Sequence, residues 1–252
     1  MNKIFNLHIP IAKPPWTGLG RRLESLCRKA LYEFELVKGV EHLGIALSGG
    51  KDSLCLLYLL KAISGRGFPP FKITAIHVDG AFSCGAGVNA GFLKQICREL
   101  DVEYVACEST QTLDKLECYS CSRERRSLIF EAAKSRGIET IAFGHHRDDS
   151  IQTLLMNLLH KAEFAAMLPK VPMHNYGITL IRPLIFISEE EIKEFASMYG
   201  FTRITCQCPV GQNSMRKTTK NLLEELEKVF PNAKENLSQA SLLYGSNKAL
   251  NP

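Results

Sequence analysis

The chain has 252 residues, 45% of them hydrophobic, 8% aromatic and 23% charged, a globular composition that excludes disordered, collagen-like and fibrous readings. Lys plus Arg exceed Asp plus Glu by 31 − 26 = 5, a mild basic excess that permits an acidic partner such as nucleic acid without demanding one. No stretch approaches the ~18 uninterrupted apolar residues of a membrane span, and the start of the chain lacks a signal peptide's apolar core, so the expected setting is the cytoplasm with no membrane partner. In that reducing setting the nine cysteines, an odd number, do not read as a disulfide framework.

Residues 1–17 read as irregular, broken by Pro10, Pro14 and Pro15. Leu19 to Val37 reads as a helix, apolar along Leu23, Leu26, Ala30, Leu31 and Phe34 and basic along Arg21, Arg22, Arg28 and Lys29. From residue 43 short apolar strands alternate with helices. The strands are Leu43–Leu47, Ile73–Val78, Tyr104–Cys107, Thr140–Gly144 and Ile178–Ile185, the last with an edge-like Pro183. The helices are Ser53–Ile63, Asn89–Leu100, Cys118–Ser135 and Asp149–His160, with a further one capped by Ser188 and opening Glu189-Glu190-Glu191. This alternation predicts an α/β fold: a doubly wound, mainly parallel five-stranded sheet covered on both faces. Beyond Cys206 one amphipathic helix is expected at about Thr218–Phe230, followed by a polar end. The expected units are an extension with a basic helix (1–40), a central domain (41–205) and a cysteine segment with a helical tail (206–252).

The most informative segment is Ser48-Gly49-Gly50-Lys51-Asp52-Ser53, between a buried strand and a helix. A helix N-terminus with free N–H groups suits an anion, the glycines let backbone approach a phosphate, the hydroxyls donate and Lys51 supplies charge. Asp52 would repel bare phosphate, which implies a bound cation or a polar relay. The spacing matches neither G-x-x-x-x-G-K-[ST] nor G-x-G-x-x-G. The segment resembles the S-G-G-x-D-S loop of the N-type ATP pyrophosphatases, which include tRNA thiolases, tRNA lysidine synthetase and amidotransferase synthetases. The resemblance implies an adenine-nucleotide α-hydrolase fold and cleavage of ATP to AMP and pyrophosphate. Ala75-Ile76-His77-Val78-Asp79 resembles the strand end at which backbone meets adenine, so His77 and Val78 join the expected nucleotide contacts. Gly144-His145-His146-Arg147-Asp148-Asp149 resembles the group's later G-H-x-x-D-D segment. Asp148 and Asp149 would hold Mg²⁺ or cap the next helix, with Asp148 preferred for the functional role. His145 and His146 read equally as strand-end residues that only shape the pocket.

Cys118-Tyr119-Ser120-Cys121 opens a predicted helix, where the N-terminus and Arg123, Arg125 and Arg126 favour thiolate. Alone it reads as a redox motif, half a zinc site or part of an iron–sulfur site. Cys206-Gln207-Cys208-Pro209 is a second pair. Together with Ile181-Arg182-Pro183-Leu184, these segments resemble the tRNA 2-thiocytidine synthetase family over about Leu19 to Phe230. That resemblance implies a [4Fe-4S] cluster on Cys118, Cys121 and one distant cysteine, taken as Cys208 in preference to Cys206. Cys27, Cys55, Cys97 and Cys107 read as core residues, and Cys84 has no assigned role.

The resemblance therefore implies an ATP-dependent tRNA sulfurtransferase. Asp52, Lys51 and Asp148 would serve catalysis; Ser48, Gly49, Gly50, Lys51, Asp52, Ser53, His77, Val78, Gly144 and Asp148 would bind nucleotide. The target is a cytidine in the anticodon loop, with a cysteine desulfurase as sulfur donor and a possible homodimer as the assembly. Arg21, Arg22, Arg28, Lys29, Arg123, Arg125, Arg126, Lys161, Lys170, Arg216, Lys217 and Lys220 would contact tRNA phosphates, with Trp16 and Tyr119 as stacking candidates. Two other readings stand beside this one. One keeps the ATP chemistry but thiolates a uridine or forms an amide- or lysidine-type product. The other is a zinc-stapled nucleotide- or RNA-binding module without catalysis.

Overall fold

In the computed structural model of the chain, residues 9–80, 90–109, 118–201 and 215–245 are described, the side chains of 118–122 excepted. The elements run α1 (Gly18–Glu33), β1 (His42–Ala46), α2 (Lys51–Ile63), β2 (Lys72–Asp79), α3 (Ala90–Glu99), β3 (Glu103–Glu108), α4 (Cys118–Lys134), β4 (Thr140–Ala142), α5 (Arg147–Lys161), β5 (Lys170–Met173), β6 (Ile178–Ile181), α6 (Glu189–Tyr199), α7 (Met215–Val229) and α8 (Ala233–Tyr244). The strands form one sheet in the order β3-β2-β1-β4-β6-β5. Every pairing is parallel except β5 against β6.

The α/β architecture expected from the strand–helix alternation is present, with six strands instead of five. The added strand, β5, is a four-residue edge segment carrying Pro172, and proline in so short a run hides a strand. The last parallel strand ends at Ile181, so Pro183 lies beyond it and not on its edge. At the other end, α8 replaces the expected polar tail. It is a polar helix whose Ser238 and Ser241 are buried, small side chains that let it close against α5.

Helix α2 reads Leu54-Cys55-Leu56-Leu57-Tyr58-Leu59-Leu60 and has no polar face because both sides are covered. One side meets β1, and α1 and α6 pack over the other. Helix α4 covers the opposite face of the sheet, where Ile129, Phe130 and Ala133 meet Ile76, Val78, Val105 and Ile141. The start of α6 is fixed by a capping box: the Glu191 N–H donates to Ser188 Oγ (3.2 Å) and the Ser188 N–H to the Glu191 carboxylate (3.0 Å). Cys27, Cys55 and Cys97 are fully buried, as expected of core residues, whereas Cys107 is half-buried with its thiol 3.8 Å from the Leu128 carbonyl. Among the described residues, no helix is long and apolar enough to cross a membrane.

Trp16 is not available to stack on a nucleobase. Its indole is only 8% exposed and meets Phe195 and Tyr199 edge-on at 5.6 and 6.2 Å between ring centres. It locks α1 to α6, and Gly20 is required beneath it because a Cβ there would lie 2.9 Å from the Trp16 Cβ. Trp16→Ala is expected to lower stability by about 3 kcal/mol, the usual loss for a buried aromatic side chain, while the folded variant keeps its affinity for RNA. Urea unfolding and an RNA-binding titration on the same preparation check both halves.

Candidate active site

The sheet splits at β1 and β4: β1 leads outward through β2 to β3, and β4 leads the other way to β6. Ligands of open α/β sheets bind at the carboxyl ends of the strands where the order reverses. A cavity of about 330 Å³ opens there, within the size range of small-molecule sites. Ala46, Leu47, Ser48, Asp52 and Ser53 line it from the β1 side, Ile76 and Val78 from β2, and Phe143, Gly144, His145 and Asp149 from the β4 side. Arg125, Arg126 and Ile129 of α4 complete the wall.

The loop between β1 and α2 is held by its own hydroxyls. Ser53 Oγ accepts the Gly49 N–H (3.1 Å) and donates to the Gly50 carbonyl (2.9 Å), and Ser48 Oγ accepts the Gly50 N–H (3.3 Å). Gly49 sits at φ +82°, a backbone conformation that a side chain would strain. Gly50 is the N-cap of α2, so the positive end of that helix faces the loop. The Lys51 ammonium donates to both carboxylate oxygens of Asp52 (2.9 and 3.1 Å) and lies 3.5 Å from Glu189.

Of the two adjacent acids after β4, it is Asp149 that lines the cavity. Asp148, expected among the catalytic and nucleotide-binding residues, turns away and accepts the Glu189 N–H at 2.8 Å, which caps α6. The two acids point about 100° apart around α5, and the Glu189 N–H draws Asp148 to α6 while Asp149 stays on the cavity side. Asp149 accepts the His146 N–H (3.2 Å) and pairs with Arg216 (3.2 Å). Burial opposes its ionisation, yet the charges of His146 and Arg216 and that N–H together hold its carboxyl below the usual range. The imidazole of His146 lies between the two cavity carboxylates, with Nε2 3.8 Å from Asp52 and 3.5 Å from Asp149. His145 stacks on Phe143 and is held neutral, first by burial and then by the charges of Arg182 and Arg216. Burial lowers Arg182 to about 10, so it stays charged at neutral pH and donates to the Leu168 carbonyl.

Thus Ser48, Asp52, Ser53, Val78 and Gly144 are brought together, with Gly49, Gly50 and Lys51 completing the loop. The side chain of His77 is not among them. Strand residues alternate in direction, so Ile76 and Val78 face the cavity while His77 is fully buried, its Nδ1 2.8 Å from the Leu47 carbonyl. Cys118 and Cys121 lie in the first turn of α4. Cys84, Cys206 and Cys208 fall outside the described residues. Glu189 is not expected against the loop from sequence, and Arg125 and Arg126, expected in a basic stripe around the site, line the cavity itself. A signal for Arg125 existed, because it stands one helical turn after Cys121.

A Cβ on Gly144 would lie 3.0 Å from the Asp52 carbonyl carbon and 3.0 Å from the Ser53 nitrogen, both backbone atoms. Gly144→Ala is therefore expected to push β4 off the loop at a cost of about 1–3 kcal/mol and to weaken nucleotide binding at least tenfold with the circular dichroism unchanged. Calorimetric titration with a non-hydrolysable nucleotide measures it.

Comparison with known proteins agrees with this geometry. A family model described as a PP-loop domain matches residues 19–218. The tRNA-cytidine(32) 2-sulfurtransferase of Citrifermentans bemidjiense is 32% identical over 230 residues, covering 87% of this chain and 89% of the relative. That of Geobacter metallireducens is 32% identical over 227 residues, covering 87% and 88%. Among solved structures, the U34-tRNA thiolase NcsA from Methanococcus maripaludis with its [4Fe-4S] cluster superposes with a TM-score of 0.73 at 25% identity, covering 88% of this chain and 78% of that one. The chain belongs to the PP-loop family and, within it, to the group of the tRNA-cytidine(32) 2-sulfurtransferases.

Proposed function

We propose that the protein is an ATP-dependent tRNA sulfurtransferase that adenylates the 2-oxo group of a cytidine in the anticodon loop and replaces that oxygen with sulfur. The observation that carries this reading is the wall of the cavity at the loop Ser48–Ser53. It is built by α4, the helix whose first turn holds Cys118 and Cys121. Further along the same helix Arg125, Arg126 and Ile129 line the cavity. A cysteine pair on the helix that walls a nucleotide loop fits one reaction better than two.

The residues present fit ATP. Ile76, Val78, Ile129 and Phe143 offer an apolar slot for a base, the N-terminus of α2 and its glycines receive phosphate, and Lys51, Arg125 and Arg126 supply positive charge. Asp52 and Asp149, bracketing His146, are the carboxylates suited to a Mg²⁺ ion on the phosphates. Asp148 supports the site indirectly, by fixing α6. Formation of the adenylate turns a poor leaving oxygen into part of AMP, and Lys51 stabilises charge on the departing pyrophosphate. Cys118, Cys121 and Cys208 would supply the three thiolates of a [4Fe-4S] cluster, which when bound would offer a free iron for sulfur. The sulfur donor is taken to be a cysteine desulfurase, and a homodimer is the assembly considered.

A uridine target is the second reading, favoured by the superposition on a U34-tRNA thiolase. Mass spectrometry of tRNA nucleosides from cells with and without the protein separates them: loss of 2-thiocytidine supports the first and loss of 2-thiouridine the second. Asp52→Ala is expected to abolish pyrophosphate release from ATP in the presence of tRNA and Mg²⁺ while the fold is retained; full turnover would remove Asp52 from the mechanism. Cys118→Ala, Cys121→Ala and Cys208→Ala are each expected to lose the brown iron chromophore of anaerobically purified protein, and Cys206→Ala to keep it. Each cluster-free variant should still bind ATP with near-normal affinity, because no cysteine is part of the loop. Iron analysis and an ATP titration on the same samples read both outcomes.

A further inference from the structure

We propose that Glu189, the first residue of α6, positions the Lys51 ammonium for its action on the departing pyrophosphate; this rests on the ATP chemistry proposed above. A lysine is a point charge on a flexible four-carbon stem and does not fix itself. The nearest partner of Lys51 is Asp52, its chain neighbour on the same helical turn, which moves with it and gives no reference to the rest of the molecule. The reference comes from another element: Glu189 Oε1 lies 3.5 Å from Lys51 Nζ, so the ammonium is bracketed between carboxylates of α2 and α6.

Glu189 is itself held at both ends. Its N–H donates to Asp148 at 2.8 Å, which ties α6 to the segment following β4. Its carboxylate receives Lys220 of α7 at 2.6 Å and lies 3.1 Å from Lys193 one turn along α6. Burial opposes its ionisation, but the Lys220 hydrogen bond, the charge of Lys51 and the Lys193 hydrogen bond bring its pKa down to about 2, so it stays an anion at every physiological pH. The turn that carries it is fixed by the Ser188–Glu191 capping box and by the 2.7 Å pair of Arg22 with Glu191. Asp148 thus acts on the reaction through Glu189 and Lys51, which gives a role to an acid that does not face the cavity.

This arrangement predicts a particular kinetic split. Glu189→Gln keeps size and one acceptor oxygen but removes the charge that anchors the ammonium, leaving Asp52 as the anion against Lys51. It also removes a negative charge near the phosphate loop. The turnover number for tRNA-dependent pyrophosphate release is expected to fall about tenfold, the lower end of the loss when an orienting partner is removed, with KM for ATP unchanged or lower. Lys193→Gln, which touches Glu189 but not Lys51, should leave both constants within twofold. On a Lys51→Met background, Glu189→Gln should change turnover by less than twofold, because the group it orients is gone.

Full turnover by Glu189→Gln, a rise in KM with unchanged turnover, or an equal loss in Lys193→Gln each overturns the proposal. A further tenfold fall on the Lys51→Met background does the same. If Lys51→Met has no measurable turnover, the kinetic split and the Lys193 control decide. The wild-type protein in the same assay reports separately on the ATP chemistry: no tRNA-dependent pyrophosphate release there would overturn the proposed function, whatever the variants do.

Discussion

The close approach of one backbone to another organises the site. Gly144, just past β4, lies against the peptide that joins Asp52 to Ser53, with room for no side chain between them. That contact sets the distance between the two strand ends at the point where the sheet divides. From it follow the width of the cavity, the facing of Asp52 and Asp149 across His146, and the reach of α4's arginines over the opening. A sheet that splits at its centre leaves a crevice at the carboxyl edge; here the glycine determines how narrow that crevice is.

Charges around the crevice are organised in a chain and do not act as isolated pairs. Arg216 meets Asp149 and Lys220 meets Glu189, and these two basic residues stand one turn apart on α7. Helix α7 is thereby docked by its polar face to the acids of the site, while its apolar contact is confined largely to Leu223. Such pairs are partly exposed and individually weak, so their effect is to set register more than to add stability. From α4, Arg125 and Arg126 face a cavity whose expected occupant is anionic.

Local sequence disclosed those parts of the protein that depend on local chemistry. The loop Ser48–Ser53 is legible because glycine, hydroxyl and lysine must be contiguous to make an anion site, and the parallel sheet is legible because buried strands have continuous apolar runs. Sequence prefers Asp148 to Asp149 for the functional role, yet adjacent acids at a helix start have the same local signature and only the position of α6 decides which one turns inward. Glu189 had no signature at all, because its partner Lys51 is remote in the chain and the residue reads as an ordinary first-turn acid. Trp16 looked like a free aromatic in an irregular segment; its burial is created by Phe195 and Tyr199 near the opposite end of the domain. The helix α8 was hidden by its polarity, which a helix can tolerate when small residues carry its contact face.

The buried thiols have a bearing on how a sulfur-handling protein avoids poisoning itself. Cys27, Cys55 and Cys97 have no access to solvent, and burial pushes Cys27 and Cys97 up to about 12 and Cys55 well above its ordinary value. A protonated, enclosed thiol neither ligates iron nor accepts a persulfide sulfur. The core therefore withdraws three of the nine cysteine thiols from exchange reactions at the surface. Selectivity among the thiols is set in part by packing far from the surface, and a cavity opened beside one of these residues would create a stray acceptor as well as a weaker core.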